Sequence, residues 1–208
     1  MTPSAKNPVG RPREFDEDKV LDAAMDIFWL QGYESTSMKD LLAATGLHKG
    51  SLYQAFGDKH SLFIQSLRRY MDRFRQDLAV EIEAADSGLQ ALRAIMNVSI
   101  GKGCHGNDGN AGCLALNTLA DKGTEDPDIL AALQEGYGKR MQMIVDAVAR
   151  AQAEGSLRTD WTPERIATLI NIMSTGTVAA VRGPLDMETA HALVDDFLDT
   201  IKLTREPG

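Results

Sequence analysis

Residues 10–63 read GRPREFDEDKVLDAAMDIFWLQGYESTSMKDLLAATGLHKGSLYQAFGDKHSLF, and this stretch decides the fold. Its apolar residues recur at helical spacing, and nowhere do they alternate as a half-buried strand would. A first helix is predicted from about Glu17 to Gln31. Asp16 is its N-cap, Phe15 and Val20 form a hydrophobic staple around that cap, and Gly32 is the stop. Val20, Ala24, Ile27 and Phe28 make its buried stripe. A second helix runs from about Ser37 to Thr45 and buries Met38, Leu41 and Leu42; Gly46 breaks it. A short third helix, His48 to Phe56, places Leu52 and Phe56 one turn apart. Two short helices joined by a glycine-containing turn describe a helix-turn-helix.

In that motif the second helix offers side chains to the DNA major groove while its other face packs on the domain. Leu47, Leu52 and Phe56 fall on the buried side, and His48, Lys49, Ser51 and Gln54 on the polar side. Gln pairs with adenine, Lys donates to guanine and Ser does either, so these four are the candidates for base readout. Phosphate contacts position a protein without reading sequence. Thr36 and Ser37 at a helix start, the phenol of Tyr53 and the ammonium of Lys59 suit that task. Arg11 and Arg13 suit a flexible arm reaching the adjacent minor groove. Tyr53 also has a packing reading beside Leu52 and Phe56.

Outward from this stretch, six more helical segments follow. The fourth helix begins after Gly57-Asp58 and reaches about Ala85, and the fifth spans Gly88 to Ile100. Gly101 to Gly112 holds five glycines and reads as a loop. The sixth helix covers Cys113 to Lys122, and the seventh ends at Gly155. Thr162-Pro163 opens the eighth, with proline at its first position, and Asp186 to Lys202 makes the ninth. The fold class is all-α with nine helices. Three parts are expected: an arm over 1–14, a DNA-binding domain over 15–60 and a body over 61–208.

The 208-residue chain has a net charge of −8, which by itself argues against nucleic acid. The distribution reverses that reading. Residues 1–75 carry 11 Lys/Arg against 10 Asp/Glu, and residues 76–208 carry 11 against 20. No apolar run approaches membrane-spanning length, and the basic start has no apolar stretch behind it. Two cysteines without a secretory signal read as free thiols in a reducing cytoplasm.

Residues 10–63 resemble the N-terminal domain of TetR-family repressors. The resemblance rests on Gly32-Tyr33, Thr36, Ala43-Ala44-x-Gly46-Leu47, and Ser51-Leu52-Tyr53-x-x-Phe56-x-x-Lys59. It implies that Tyr53 and Lys59 touch phosphate, that residues 48–54 read bases of a double-stranded operator, and that the protein is no enzyme. It further implies a homodimer through helices eight and nine. The apolar sides in question carry Ile166, Leu169, Ile170, Met173, Thr177 and Val181, and Ala190, Leu193, Val194, Phe197 and Ile201, with Gly176, Ala179 and Ala180 allowing close approach. A small-molecule inducer would sit between helices five and eight. Candidate lining residues are Met96, Ile100, Cys113, Leu114, Asn117, Thr118, Tyr137, Met141 and Met173.

Gly112-Cys113-Leu114 resembles a segment of some TetR-like regulators, certain relatives of which sense electrophiles or oxidants. In a first helical turn, free N–H groups and the helix dipole favour the nucleophilic thiolate. Cys104 is near enough in sequence to resolve an oxidised Cys113 as a disulfide. Cys113 also reads as a small buried hydrophobe. Cys104, His105, Asp108 and Cys113 match no familiar metal cluster, so no metal and no cofactor are expected. Two other functions stay open: a cysteine-dependent enzyme using Cys113 with His105, and an activator that takes no ligand.

Overall fold

The computed structural model describes residues 15–103, 112–122 and 125–202, without the side chains of 102 and 103. Arg11, Arg13, Cys104, His105 and Asp108 lie outside the described residues. Among those described, nine α-helices account for the regular structure: α1 Glu17–Gln31, α2 Met38–Thr45, α3 Lys49–Phe56, α4 Lys59–Ala84, α5 Gly88–Gly103, α6 Leu114–Asp121, α7 Pro127–Ala153, α8 Pro163–Val181 and α9 Met187–Ile201. Their only β pairing is an isolated antiparallel bridge between Leu157 and Lys202. The expected loop starting at Gly101 begins later, because α5 continues through Gly103.

The helix starts follow from short polar side chains that accept the first orphan N–H groups. Asp16 accepts from Asp18 and Lys19, Asp58 from Ser61, Thr162 from Arg165 and Asp186 from Thr189. Ser37 and Asp40 form a reciprocal capping box on α2. Gly46 closes α2 at φ 68°, a left-handed conformation that side chains other than glycine adopt at a cost.

Two apolar cores result. The head core joins Val20, Ala24, Met25 and Phe28 of α1 to Leu41, Leu52, Phe56 and the first half of α4, from Leu62 to Tyr70. It runs on into Leu114, Ile129, Ala132 and Leu133, so the head is welded to α6 and the start of α7. The body core gathers Leu78, α5, the second half of α7, α8 and α9 around Ile95, Met96, Ile100, Ile144 and Val148.

That body core corrects the expected dimer faces. Ile166, Ile170, Thr177, Ala190, Val194 and Ile201 are buried within the chain itself. Leu169, Met173, Val181 and Phe197 are half-buried. The apolar residues and glycine left exposed are Ile172, Gly176 and Ala179 on α8 and Ala192 and Leu193 on α9. The reason is helical phase: Ile172 lies two residues from both Ile170 and Ser174, on the opposite side of α8.

Candidate nucleic-acid interface and internal cavity

The head carries α3 on its outer surface. Leu52 and Phe56 anchor it, at 2% and 3% exposure, while His48, Lys49, Tyr53 and Gln54 stand exposed and Ser51 is half-exposed. His48 is the N-cap, in extended backbone, and no side chain caps the first turn. The free N–H groups there are a ready anion site. Tyr53 is 41% exposed, with the Lys49 ammonium 5.6 Å from its ring centroid, so its packing reading does not apply. No hydrogen bond among the described residues claims the Gln54 amide.

Thr36 requires correction. Its side chain is fully buried, and its hydroxyl donates to the Gly32 carbonyl at 2.7 Å, so it pins the turn between α1 and α2 and cannot face phosphate. Ser37 is exposed, but its hydroxyl donates to Asp40 at 2.6 Å. This pairing, with the backbone N–H of Ser37, holds the Asp40 carboxyl below the usual range. The Lys59 ammonium sits 4.5 Å from the Tyr33 ring centroid and donates to the Glu34 carbonyl, on the same side of the head as the α2 start. Lys39, exposed in the first turn of α2, is a cation that sequence reasoning passed over. Its place two residues after the N-cap was the available signal.

A cavity of about 390 Å³ opens between α4, α6, α7 and α8. Cys113 and Tyr137 line it, as expected. The other candidates do not. Met96 and Ile100 are fully buried in the body core, and Met141 and Met173 pack against that core. Leu114, Asn117 and Thr118 line a separate, more polar cleft of about 320 Å³ beside Trp29, Tyr33 and Lys122. Asn117 was expected to face the inducer. Its oxygen instead accepts from the Arg182 guanidinium at 2.7 Å.

The cavity walls that sequence reasoning missed include Tyr70, Phe74, Ser99, Arg140 and Asn171. Arg140 carried a signal: it falls in the apolar phase of α7, with Leu133 seven residues before and Ile144 four after. The guanidinium donates to the Asn171 amide oxygen and, at 3.3 Å, to the Ser99 hydroxyl. Burial lowers its affinity for a proton, with nearby weakly acidic groups opposing. The Tyr70 hydroxyl donates to Cys113 Sγ at 3.4 Å, and burial first, then Cys113, raises its pKa well above the ordinary phenol. Cys113 is itself the N-cap of α6 and half-buried, one position earlier than a first-turn residue.

Beyond the shared core, head and cavity meet through aromatic and polar contacts. The Trp29 indole of α1 lies edge-on to Tyr70 at 4.9 Å and donates to the Gly112 carbonyl at 2.7 Å. Asp22 of α1 accepts from Arg69 and Arg73 of α4, and Arg69 also reaches Asp18. His60 pairs with Asp126 at 2.8 Å, and Glu34 with Lys122 at 2.9 Å. His60, Asp126 and Asp128 are also near enough to one another to share an ion. The first two are already engaged as a pair.

An all-α chain with an anchored α3, an exposed polar edge and a hollow body is a helix-turn-helix DNA-binding regulator. Residues 20–65 match the Bacterial regulatory proteins, tetR family, and residues 88–195 match the Tetracyclin repressor-like, C-terminal domain. The chain belongs to the TetR family and is a transcriptional regulator, not an enzyme. It is similar to the HTH-type transcriptional repressor ComR of Escherichia coli K12, with 29% identity over 187 residues, covering 90% of this chain and 89% of that one. Similarity extends to the HTH-type transcriptional repressor BdcR of the same organism, at 26% over 166 residues, 80% of this chain and 77% of that one. Among solved structures, a cysteine mutant of the TetR family transcriptional regulator CifR, complexed with 26-bp double-strand operator DNA, superposes with a TM-score of 0.74. It is 28% identical, and the match covers 92% of this chain and 100% of that one. No helix among the described residues is long and apolar enough to cross a membrane.

Proposed function

We propose that this protein is a homodimeric repressor that binds a palindromic operator and leaves it when the body cavity is occupied or Cys113 is modified. The observation that carries the DNA part is the exposed edge of α3. His48, Lys49, Ser51 and Gln54 are held outward by the buried Leu52 and Phe56, with uncapped N–H groups at the helix start. Two such edges, one helical turn apart, fit successive major grooves. The second subunit docks on the outward apolar residues Ile172 and Leu193, with Gly176 and Ala179 allowing close approach. Arg11 and Arg13 add minor-groove and phosphate contacts. The similar CifR structure is a cysteine mutant complexed with double-strand operator DNA.

The response part rests on the run from Cys113 through Tyr70 to Trp29. A substituent on the Cys113 sulfur displaces the Tyr70 ring, and Tyr70 bears on α1 through Trp29. Release follows if the modified or occupied state fits the DNA-incompetent arrangement better, since equal affinity for both would shift nothing. Cys104 acts as the resolving thiol under oxidation.

Selection of binding sites from random duplexes, followed by fluorescence anisotropy at fixed salt, tests the DNA reading. Gln54→Ala and Lys49→Ala each remove about 1–3 kcal/mol of discrimination per half-site, and the dimer doubles this. Thr36→Val leaves base preference unchanged. The reading fails if Gln54→Ala retains the parent affinity and the parent base preference. N-ethylmaleimide on a Cys104→Ser background tests release; a Cys113→Ser protein that leaves the operator equally well removes the thiol from the mechanism.

A further inference from the structure

Among the described residues, the body cavity holds a cation without a counter-ion. Arg140 projects from α7 into a space whose apolar wall includes Phe74, Leu116, Leu119, Leu133 and Val178. Its partners are neutral: the Asn171 amide oxygen from α8 and the Ser99 hydroxyl from α5. Its Nε is buried with no acceptor among the described residues. The second cation of the lining, Arg75, has Asp72 at 3.5 Å, whereas Arg140 has no such carboxylate, and none lines the cavity among the described residues. A charge taken out of water and left unpaired is costly, and a protein retains one where something else completes it.

We propose that the cavity takes an amphipathic organic anion, an apolar chain or ring bearing a carboxylate, whose charge is met by Arg140. The guanidinium is a planar fork that matches a carboxylate, and each terminal nitrogen makes one hydrogen bond and carries a second N–H for a ligand. Asn171 and Ser99 hold two of its other donors, so the group is oriented before the ligand arrives. The volume of about 390 Å³ lies in the range of small-molecule sites. The Arg140 guanidinium lies 5.9 Å from the Phe74 ring centroid, which places the charge beside the apolar wall. This assignment rests on the ligand-responsive reading above and narrows its ligand to one chemical class.

Calorimetry on the full-length protein with decanoate, 1-decanol and decylamine, below their aggregation limits and at one ionic strength, tests it. The series is repeated with 2-naphthoate and 2-naphthylmethanol to cover a ring. Each carboxylate is expected to bind at least tenfold more tightly than its alcohol, with decylamine weakest. Arg140→Met abolishes that preference while alcohols bind as before, and its ligand-free melting temperature equals or exceeds the parent's. Arg140→Lys keeps part of the preference. If Arg140 only ties α5 to α8, Arg140→Met weakens all ligands equally and the parent shows no charge preference, which overturns the proposal. Absence of binding by both carboxylates overturns it too. Operator release, followed in parallel, separates the two readings. Alcohols that bind and release DNA as well as the acids refute the anion site alone. Acids that bind through Arg140 yet leave the operator complex intact support the anion site and refute its role in induction.

Discussion

Replacing Trp29 by Phe tests the contact between head and cavity at one point. The indole N–H donates to the Gly112 carbonyl at 2.7 Å, across 83 residues of sequence, and Gly112 is buried. Phenylalanine keeps an aromatic edge against Tyr70 but offers no donor, so the carbonyl is left without it. A buried acceptor stripped of its partner costs about 1–3 kcal/mol. For a chain of this length each kcal/mol lowers the melting temperature by about 2–4 °C, so a drop of about 2–12 °C is expected by thermal melting. The same contact links Cys113 to α1. Allosteric coupling is typically about 1–3 kcal/mol, and losing about 1 kcal/mol of it shrinks the ratio of operator affinities without and with N-ethylmaleimide about fivefold. Anisotropy on Cys104→Ser and Cys104→Ser/Trp29→Phe proteins measures that ratio. If the melting temperature holds within a degree and the ratio is unchanged, Trp29 neither ties the head down nor carries the signal.

Three further outcomes are expected. Asp22→Asn removes the negative charge and one of the two oxygens that accept from Arg69 and Arg73, and partial exposure discounts the loss to about 1–2 kcal/mol. The Arg69 hydrogen bond, opposed by burial and helped by Arg73, holds Asp22 below the usual carboxylate range. Its contribution is therefore fully present above about pH 4 and fades as pH falls through the lowered folded value, so urea melts of parent and variant converge in acid. Ile172→Glu places charge at a residue 59% exposed in the single chain; light scattering is expected to show monomer at concentrations where the parent is dimer, with helix content unchanged. Gly46→Ala forces a Cβ into the left-handed turn at φ 68° where nothing crowds it, so the cost is backbone strain of about 1–2 kcal/mol, read by urea melting, with weaker operator binding because that turn sets the angle of α3.

Much of this protein is legible in residues 10–63 because its information is local. N-caps at Asp16 and Ser37, stops at Gly32 and Gly46 and the Leu52–Phe56 spacing act over one or two turns, so the sequence by itself determines the first three helices and an outward α3 edge. Thr36 was misread for the opposite reason: its hydroxyl is claimed by a carbonyl four residues back, and burial there depends on how α1 and α2 pack. The cavity and the free face of α8 belong to tertiary structure alone. Met96 and Arg140 both sit in apolar phases of their helices; only the packing of α4 and α6–α8 decides that the methionine fills a core and the arginine lines a hollow. Which side of α8 is left for a partner depends likewise on how α5, α7 and α9 cover the other sides, and periodicity within one helix cannot rank its faces against neighbours that are distant in sequence.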